Sequence, residues 1–137
     1  MTIEIELPLK LTQQLLHQAQ QYSDLEICGL VSIQNQQFYR CYPIENIADF
    51  PQKQFLLNPQ QQIHAIKQMR ENGETLFAIY HSHPQSPAIP SATDIAWAEF
   101  ANIFHLIISL NIKGLLEIRG FKIEHQQVEE LILRLIP

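Results

Sequence analysis

The chain has 137 residues, 46% of them hydrophobic and 17% charged, with a formal net charge of -5. That is ample apolar material for one core but little chain for a second, so one domain is expected and disorder is not indicated. The acidic balance, with no run of Lys and Arg, argues against a nucleic-acid surface, which depends on neutralising phosphates.

The opening segment, MTIEIELPLK, has neither the basic nor the apolar region of a signal peptide. Residues 2–7 alternate polar and apolar side chains and predict a short strand that Pro8 ends. Leu11, Leu15, Leu16 and Ala19 then recur at helical spacing and predict an amphipathic helix over 9–22. Residues 26–33 (EICGLVSI) and 37–44 (QFYRCYPI) have strand length and composition, and Gln34-Asn35-Gln36 between them predicts a β-hairpin. Residues 45–53 read as a loop and 54–57 as a short strand. Asn58 and Pro59 open a helix through Ile63, Ile66 and Met69, since Asn suits the cap and Pro the first turn, and Gly73 closes it.

Residues 75–81 (TLFAIYH) form a buried strand, 84–90 a proline-stiffened loop, and Ser91 starts a helix through Ile95, Trp97 and Phe100. Strands are expected over 103–110 and 115–123, and a last helix from Val128 to Ile136. Hairpins mixed with helices give an α+β class with a mixed or mostly antiparallel sheet. No stretch approaches the roughly 18 apolar residues of a membrane span. Cys28 and Cys41 make no disulfide framework. A cytoplasmic location with no membrane partner follows as the expectation.

The segment with chemistry in it is His81-Ser82-His83-Pro84 followed by Ser91-Ala92-Thr93-Asp94. Side chains two apart on a strand share a face, so His81 and His83 can converge on one ion. The loop then returns Asp94 on the first turn of the next helix. Two imidazoles and a carboxylate suit Zn²⁺ at about 2.0–2.2 Å and leave a fourth position open, the mark of a catalytic site. A metal hydrolase also needs a proton shuttle. Glu26 heads an apolar strand, an odd place for a solvated carboxylate, and is the candidate general acid/base. Ser91 is a candidate hydrogen-bond donor to a tetrahedral oxyanion.

An upstream Glu, then H-[S/T]-H-P, then S-x-x-D resembles the motif of the JAMM (MPN-plus) zinc metallopeptidases. The match falls on Glu26, His81, Ser82, His83, Pro84, Ser91 and Asp94, and LEICGLV around Glu26 is similar to the family's E-x-C-G-L segment. The resemblance implies one Zn²⁺ per chain on His81, His83 and Asp94, with Glu26 and Ser91 catalytic. It implies a single domain over 1–137 with a curved β-sheet flanked by helices, of the MPN/cytidine-deaminase-like type. It also implies cleavage of a peptide or isopeptide bond after the C-terminal Gly-Gly of a ubiquitin-like or sulfur-carrier protein. The chain leaves little room for the insertions that grip two ubiquitins in eukaryotic deubiquitinases, so it looks like the compact prokaryotic members.

Plainer roles compete at each position. S-x-x-D is also a helix capping box, and capping can coexist with catalysis. Cys28 reads as a small buried hydrophobe, although two residues after Glu26 its thiol could reach a metal. His17, His64, His105 and His125 read as structural or surface residues. A non-catalytic MPN-type scaffold is the alternative function. A zinc deaminase is discarded because neither cysteine sits in P-C-x-x-C.

Overall fold

The computed structural model describes residues 2–96, 98, 102–110 and 116–137. In chain order the elements are β1 (Glu4–Pro8), α1 (Leu9–Gln21), β2 (Cys28–Gln34), β3 (Phe38–Ile44), α2 (Pro59–Glu71), β4 (Thr75–His83), α3 (Ala92–Ala96), β5 (Phe104–Ser109), β6 (Glu117–Glu124), β7 (Gln127–Glu130) and β8 (Ile132–Ile136). Six strands form one sheet in the order β3-β2-β4-β5-β6-β7. Only the β4–β5 pair in that sheet is parallel, so the α+β class with a mixed, mostly antiparallel sheet holds. Strands β1 and β8 pair in parallel as a separate ribbon.

Period-2 alternation sends each strand's side chains to two cores. On one face Val31, Ala78, Tyr80, Leu106 and Ile108 pack with Leu11, Leu15 and Ala19 of α1 and with Ile5 and Leu7 of β1. On the other, Cys28, Leu30 and Ile79 pack with Ala65 and Met69 of α2. Asn58 caps α2 by accepting from the backbone N–H groups of Gln60 and Gln61, and Pro59 fills its first position, as expected. Gly29 lies where β2 passes Tyr80. A Cβ there would stand 2.4 Å from Tyr80 Oη and 2.5 Å from the Tyr42 carbonyl, so close approach excludes a larger residue.

Three expectations need correction. The predicted last helix over 128–136 is absent, and the segment forms β7 and β8 instead. Val128, Leu131, Ile132 and Leu135 fit a helical period, but Leu131, Leu133 and Leu135 equally fit alternation, and pairing decides between them. Strand β7 returns along β6 through a two-residue turn, with His125 and Gln126 at φ 51° and 63°. Such positive φ values favour Gly or Asn, so the turn carries no sequence signal. Strand β8 then lies beside β1, where Arg134 pairs with Glu4 and Glu6.

The predicted strand over 54–57 shrinks to a single bridge between Asn46 and Leu57. Strand β2 begins at Cys28, which leaves Glu26 in the preceding loop, and β4 runs on to His83. Trp97, Phe100 and Leu115, named in the predicted helix and strand, lie outside the described residues. Among the described residues, no helix is long and apolar enough to cross a membrane.

Candidate metal centre

Strand β4 ends on the α2 side of the sheet with His81 and His83, both essentially fully buried. Beyond it, α3 opens with a reciprocal capping box: the Asp94 N–H donates to Ser91 Oγ at 3.0 Å, and the Ser91 N–H donates to Asp94 Oδ2 at 2.9 Å. This box delivers the Asp94 carboxylate to the histidines. Asp94 Oδ2 lies 3.0 Å from His81 Nε2 and 3.1 Å from His83 Nε2, and the two nitrogens are 3.1 Å apart. Glu26 closes the group, and its carboxylate lies with the other three within 4.8 Å.

The tautomers decide what this triangle can hold. His83 Nδ1 is 2.8 Å from the Pro87 carbonyl, which can only accept, so Nδ1 carries the proton. In the neutral ring His83 Nε2 then presents a lone pair to the Asp94 carboxylate, and either a proton on Nε2 or a cation between the two resolves the conflict. Ligands at about 2.0–2.1 Å in a tetrahedron stand about 3.3–3.4 Å apart, close to the observed edges. The donor set of two imidazoles and a carboxylate, with an outer hydrogen bond fixing one imidazole, therefore fits a metal site.

Electrostatics separates the members. Burial pulls the His81 imidazole down, and Asp94 only partly offsets it. Burial also acts on His83, but Asp94 and the Pro87 carbonyl outweigh it and the net shift is upward. For Asp94 the cost of burial is overcome by hydrogen bonds from both histidines, which hold it well below the usual carboxylate range. Glu26 goes the other way: burial, with a smaller push from Asp94 against the pull of His83, raises it to about 8. Among the described residues Glu26 Oε1 is buried with no hydrogen-bond partner. A carboxyl poised near neutral pH beside such a triangle can both take and give a proton.

All five predicted site residues meet here, Ser91 at the helix cap with its hydroxyl accepting from Asp94. Cys28 does not join them. Its thiol donates to the Ile44 carbonyl at 3.3 Å, and burial pushes it up to about 12, so it packs as a neutral hydrophobe.

Sequence reasoning missed the supports. Ser82 Oγ accepts from the Ile27 N–H at 2.9 Å and so fixes the residue next to Glu26. Phe55 stacks on His81 with ring centroids 4.2 Å apart. His105 is buried with Nε2 unpartnered among the described residues, and burial, with a further push from His81, lowers it to about 4. The Ser of H-S-H was a visible signal for the first; nothing local announced the others.

Comparison with known proteins agrees with the geometry. A family model described as prokaryotic homologs of the JAB domain matches residues 8–119. A desampylase of Haloferax volcanii is 29% identical over 86 residues, 61% of this chain and 62% of its own length. A Thermus thermophilus protein named probable TtuB-protein conjugate cleaving protease is 39% identical over 61 residues, 44% of this chain and 41% of its own. The chain thus spans less than two thirds of either curated relative. The solution structure of a Desulfitobacterium hafniense protein superposes with a TM-score of 0.84 at 32% identity, covering 96% of this chain and 92% of that one.

Proposed function

The chain belongs to the prokaryotic homologues of the JAB domain, and from that membership and the site geometry we propose that it is a zinc-dependent hydrolase with one ion per chain. Residues 1–137 make up one such domain in this reading. His81, His83 and Asp94 would hold the ion, Glu26 would be the general acid/base, and Ser91 the oxyanion donor. The single observation that carries this is the buried convergence of Glu26, His81, His83 and Asp94.

When bound, the ion supplies Lewis acidity and brings the pKa of water near 7. The remaining work falls to the chain. Glu26, whose carboxylate lies with the His81, His83 and Asp94 ligand atoms, would accept the proton of the attacking water and return it to the departing amine. Asp94 places negative charge beside two imidazoles that would otherwise make a poor cation site. The Pro87 carbonyl fixes the orientation and tautomer of His83.

The bond cut would be the one after a C-terminal Gly-Gly on a ubiquitin-like or sulfur-carrier protein. Cleavage of a protein conjugate is supported by the name of one relative, a probable TtuB-protein conjugate cleaving protease. The Gly-Gly tail is supported by the physics of a narrow site: an extended tail is held by main-chain hydrogen bonds, and glycine lets backbone approach closely. Proline loop 84–90 and segment 45–53 would wall that groove.

The test offers metal-loaded protein a Gly-Gly-tailed carrier joined to several amines, beside a matched Ala-Ala set, with mass spectrometry locating the cut. Cleavage after Gly-Gly, lost with chelator, is expected. Equal cleavage of Ala-Ala tails would contradict the narrow groove, and no cleavage with metal bound would favour the scaffold. Metal analysis of His81→Ala, His83→Ala and Asp94→Ala should show most of the ion lost from each.

A further inference from the structure

The segment from Glu45 to Leu57 joins β3 to α2 and crosses the site side with little regular structure of its own. One side chain organises it. Asn46 Nδ2 donates to the Glu26 carbonyl at 2.9 Å and to the Gln54 carbonyl at 2.9 Å, with a longer contact of 3.5 Å to the Pro51 carbonyl. Asn46 Oδ1 accepts from the N–H groups of Ala48 and Leu56, each at 3.0 Å. Carbonyls on one side and N–H donors on the other fix which way the amide points.

The same segment also binds the other backbone group of Glu26, whose N–H donates to the Pro51 carbonyl at 2.7 Å. Both polar backbone groups of the residue bearing the raised carboxyl are therefore held by this loop. At its far end Phe55, between the Asn46-bonded residues Gln54 and Leu56, lies nearly parallel to the His81 ring at 20°. Around this anchor the loop exposes Ile47, Phe50 and Leu56.

We propose that Asn46 is a positioning residue that locks loop 46–56 to the site, fixing the Glu26 backbone at one end and the Phe55–His81 stack at the other; the assignment rests on the function proposed above. Asparagine is suited to this because it alone offers two donors and an acceptor on a short stem. Aspartate keeps the acceptor for Ala48 and Leu56 but sets a carboxylate oxygen against two carbonyls. Alanine loses every bond. The expected consequence is kinetic, since small misplacement of a catalytic group costs up to about 100-fold.

The experiment compares Asn46→Asp and Asn46→Ala with the wild type in folded, metal-loaded form. Asn46→Asp should lower kcat by about 10- to 100-fold, with KM within a few-fold. Amide hydrogen exchange should quicken at Glu26, whose N–H bonds the Pro51 carbonyl of the loop that Asn46 holds, but stay slow at Ala48 and Leu56, whose N–H groups donate to Asn46 Oδ1 itself. Asn46→Ala should quicken all three. It should also weaken zinc binding by about 10-fold, as loss of outer support does, and Phe55→Ala should share that weakening. Unchanged kcat in both variants, or unchanged Glu26 exchange, overturns the assignment. The exchange and zinc measurements need no substrate. If the wild type cleaves no conjugate, the proposed function fails while those two measurements still decide the role of Asn46.

Discussion

Glu74 and Glu26 stand near opposite ends of β4, and both are buried. Glu74, one residue before the strand, is fully served. Ser32 Oγ and Tyr42 Oη donate to its Oε1 at 2.7 and 2.6 Å, and Arg40 lies 3.5 Å from Oε2. Burial would raise it, but these bonds prevail and its carboxyl lies below the ordinary value. Glu26 has its backbone tied down and its Oε1 without a hydrogen-bond partner among the described residues, and it is raised to about 8. One carboxylate is stabilised as an anion for architecture; the other, in the role proposed for it, would exchange protons. Burial of a charged residue does not separate the two roles. The state of its hydrogen bonds does.

The contrast breaks most sharply on activity. Glu26→Gln keeps the shape and removes the proton exchange, so turnover should fall by about 100- to 10,000-fold with metal content unchanged. Glu74→Gln should stay within a few-fold of wild type. Steady-state rates and metal analysis on the same preparations check both, and comparable losses in the two variants would erase the distinction.

Ser91 tests whether a residue can belong to both classes. Its hydroxyl caps α3, so Ser91→Ala should cost about 1 kcal/mol of stability. As an oxyanion donor it should also cost roughly 100- to 1,000-fold in rate. Urea unfolding and kinetics on one variant separate the effects. Loss of stability with full turnover would leave the capping box as its whole role.

The architectural end is tested by Glu74→Ala, which strands the Tyr42 and Ser32 hydroxyls. Unsatisfied buried donors cost about 1–3 kcal/mol, which urea unfolding would register. The metal affinity of this variant should be unchanged, because the Glu74 network shares no residue with the group at the other end of β4.

What the sequence disclosed follows the reach of each interaction. His81 and His83 were legible because two residues apart on a strand is a local geometry, and Ser91 with Asp94 because a capping box is local too. Hairpin β2–β3 and helices α1 and α2 were legible from periodicity and caps. Asn46 was not, since a loop asparagine looks alike whether it bonds water or the carbonyl of Glu26 twenty positions away. Strand β8 was missed for the same reason. Its partner is β1, at the other end of the chain, and the backbone pairing that sets Glu6 opposite Arg134 has no local trace.

The smallest effect is a slope in pH, and it has opposite signs at the two glutamates. In metal-free protein Glu26 titrates near 8 against an ordinary value of 4.5. Between those values the unfolded chain has released a proton that the folded chain retains. Its contribution is therefore complete below about 4.5 and is lost as pH rises through about 8. Glu74, lowered in the fold, contributes above its ordinary value and loses that contribution only as pH falls through its folded pKa. Other groups also titrate, His105 among them, so the wild type's own profile mixes several terms. The difference between wild type and Glu26→Gln removes most of that mixture. Measured by urea unfolding with chelator present at pH 5.5, 7 and 8.5, this difference should move steadily in favour of the glutamine variant. The difference between wild type and Glu74→Gln should stay flat over the same range. A flat profile for Glu26→Gln as well would mean that Glu26 is ionised in the metal-free fold, and the two carboxylates would then differ in location but not in kind.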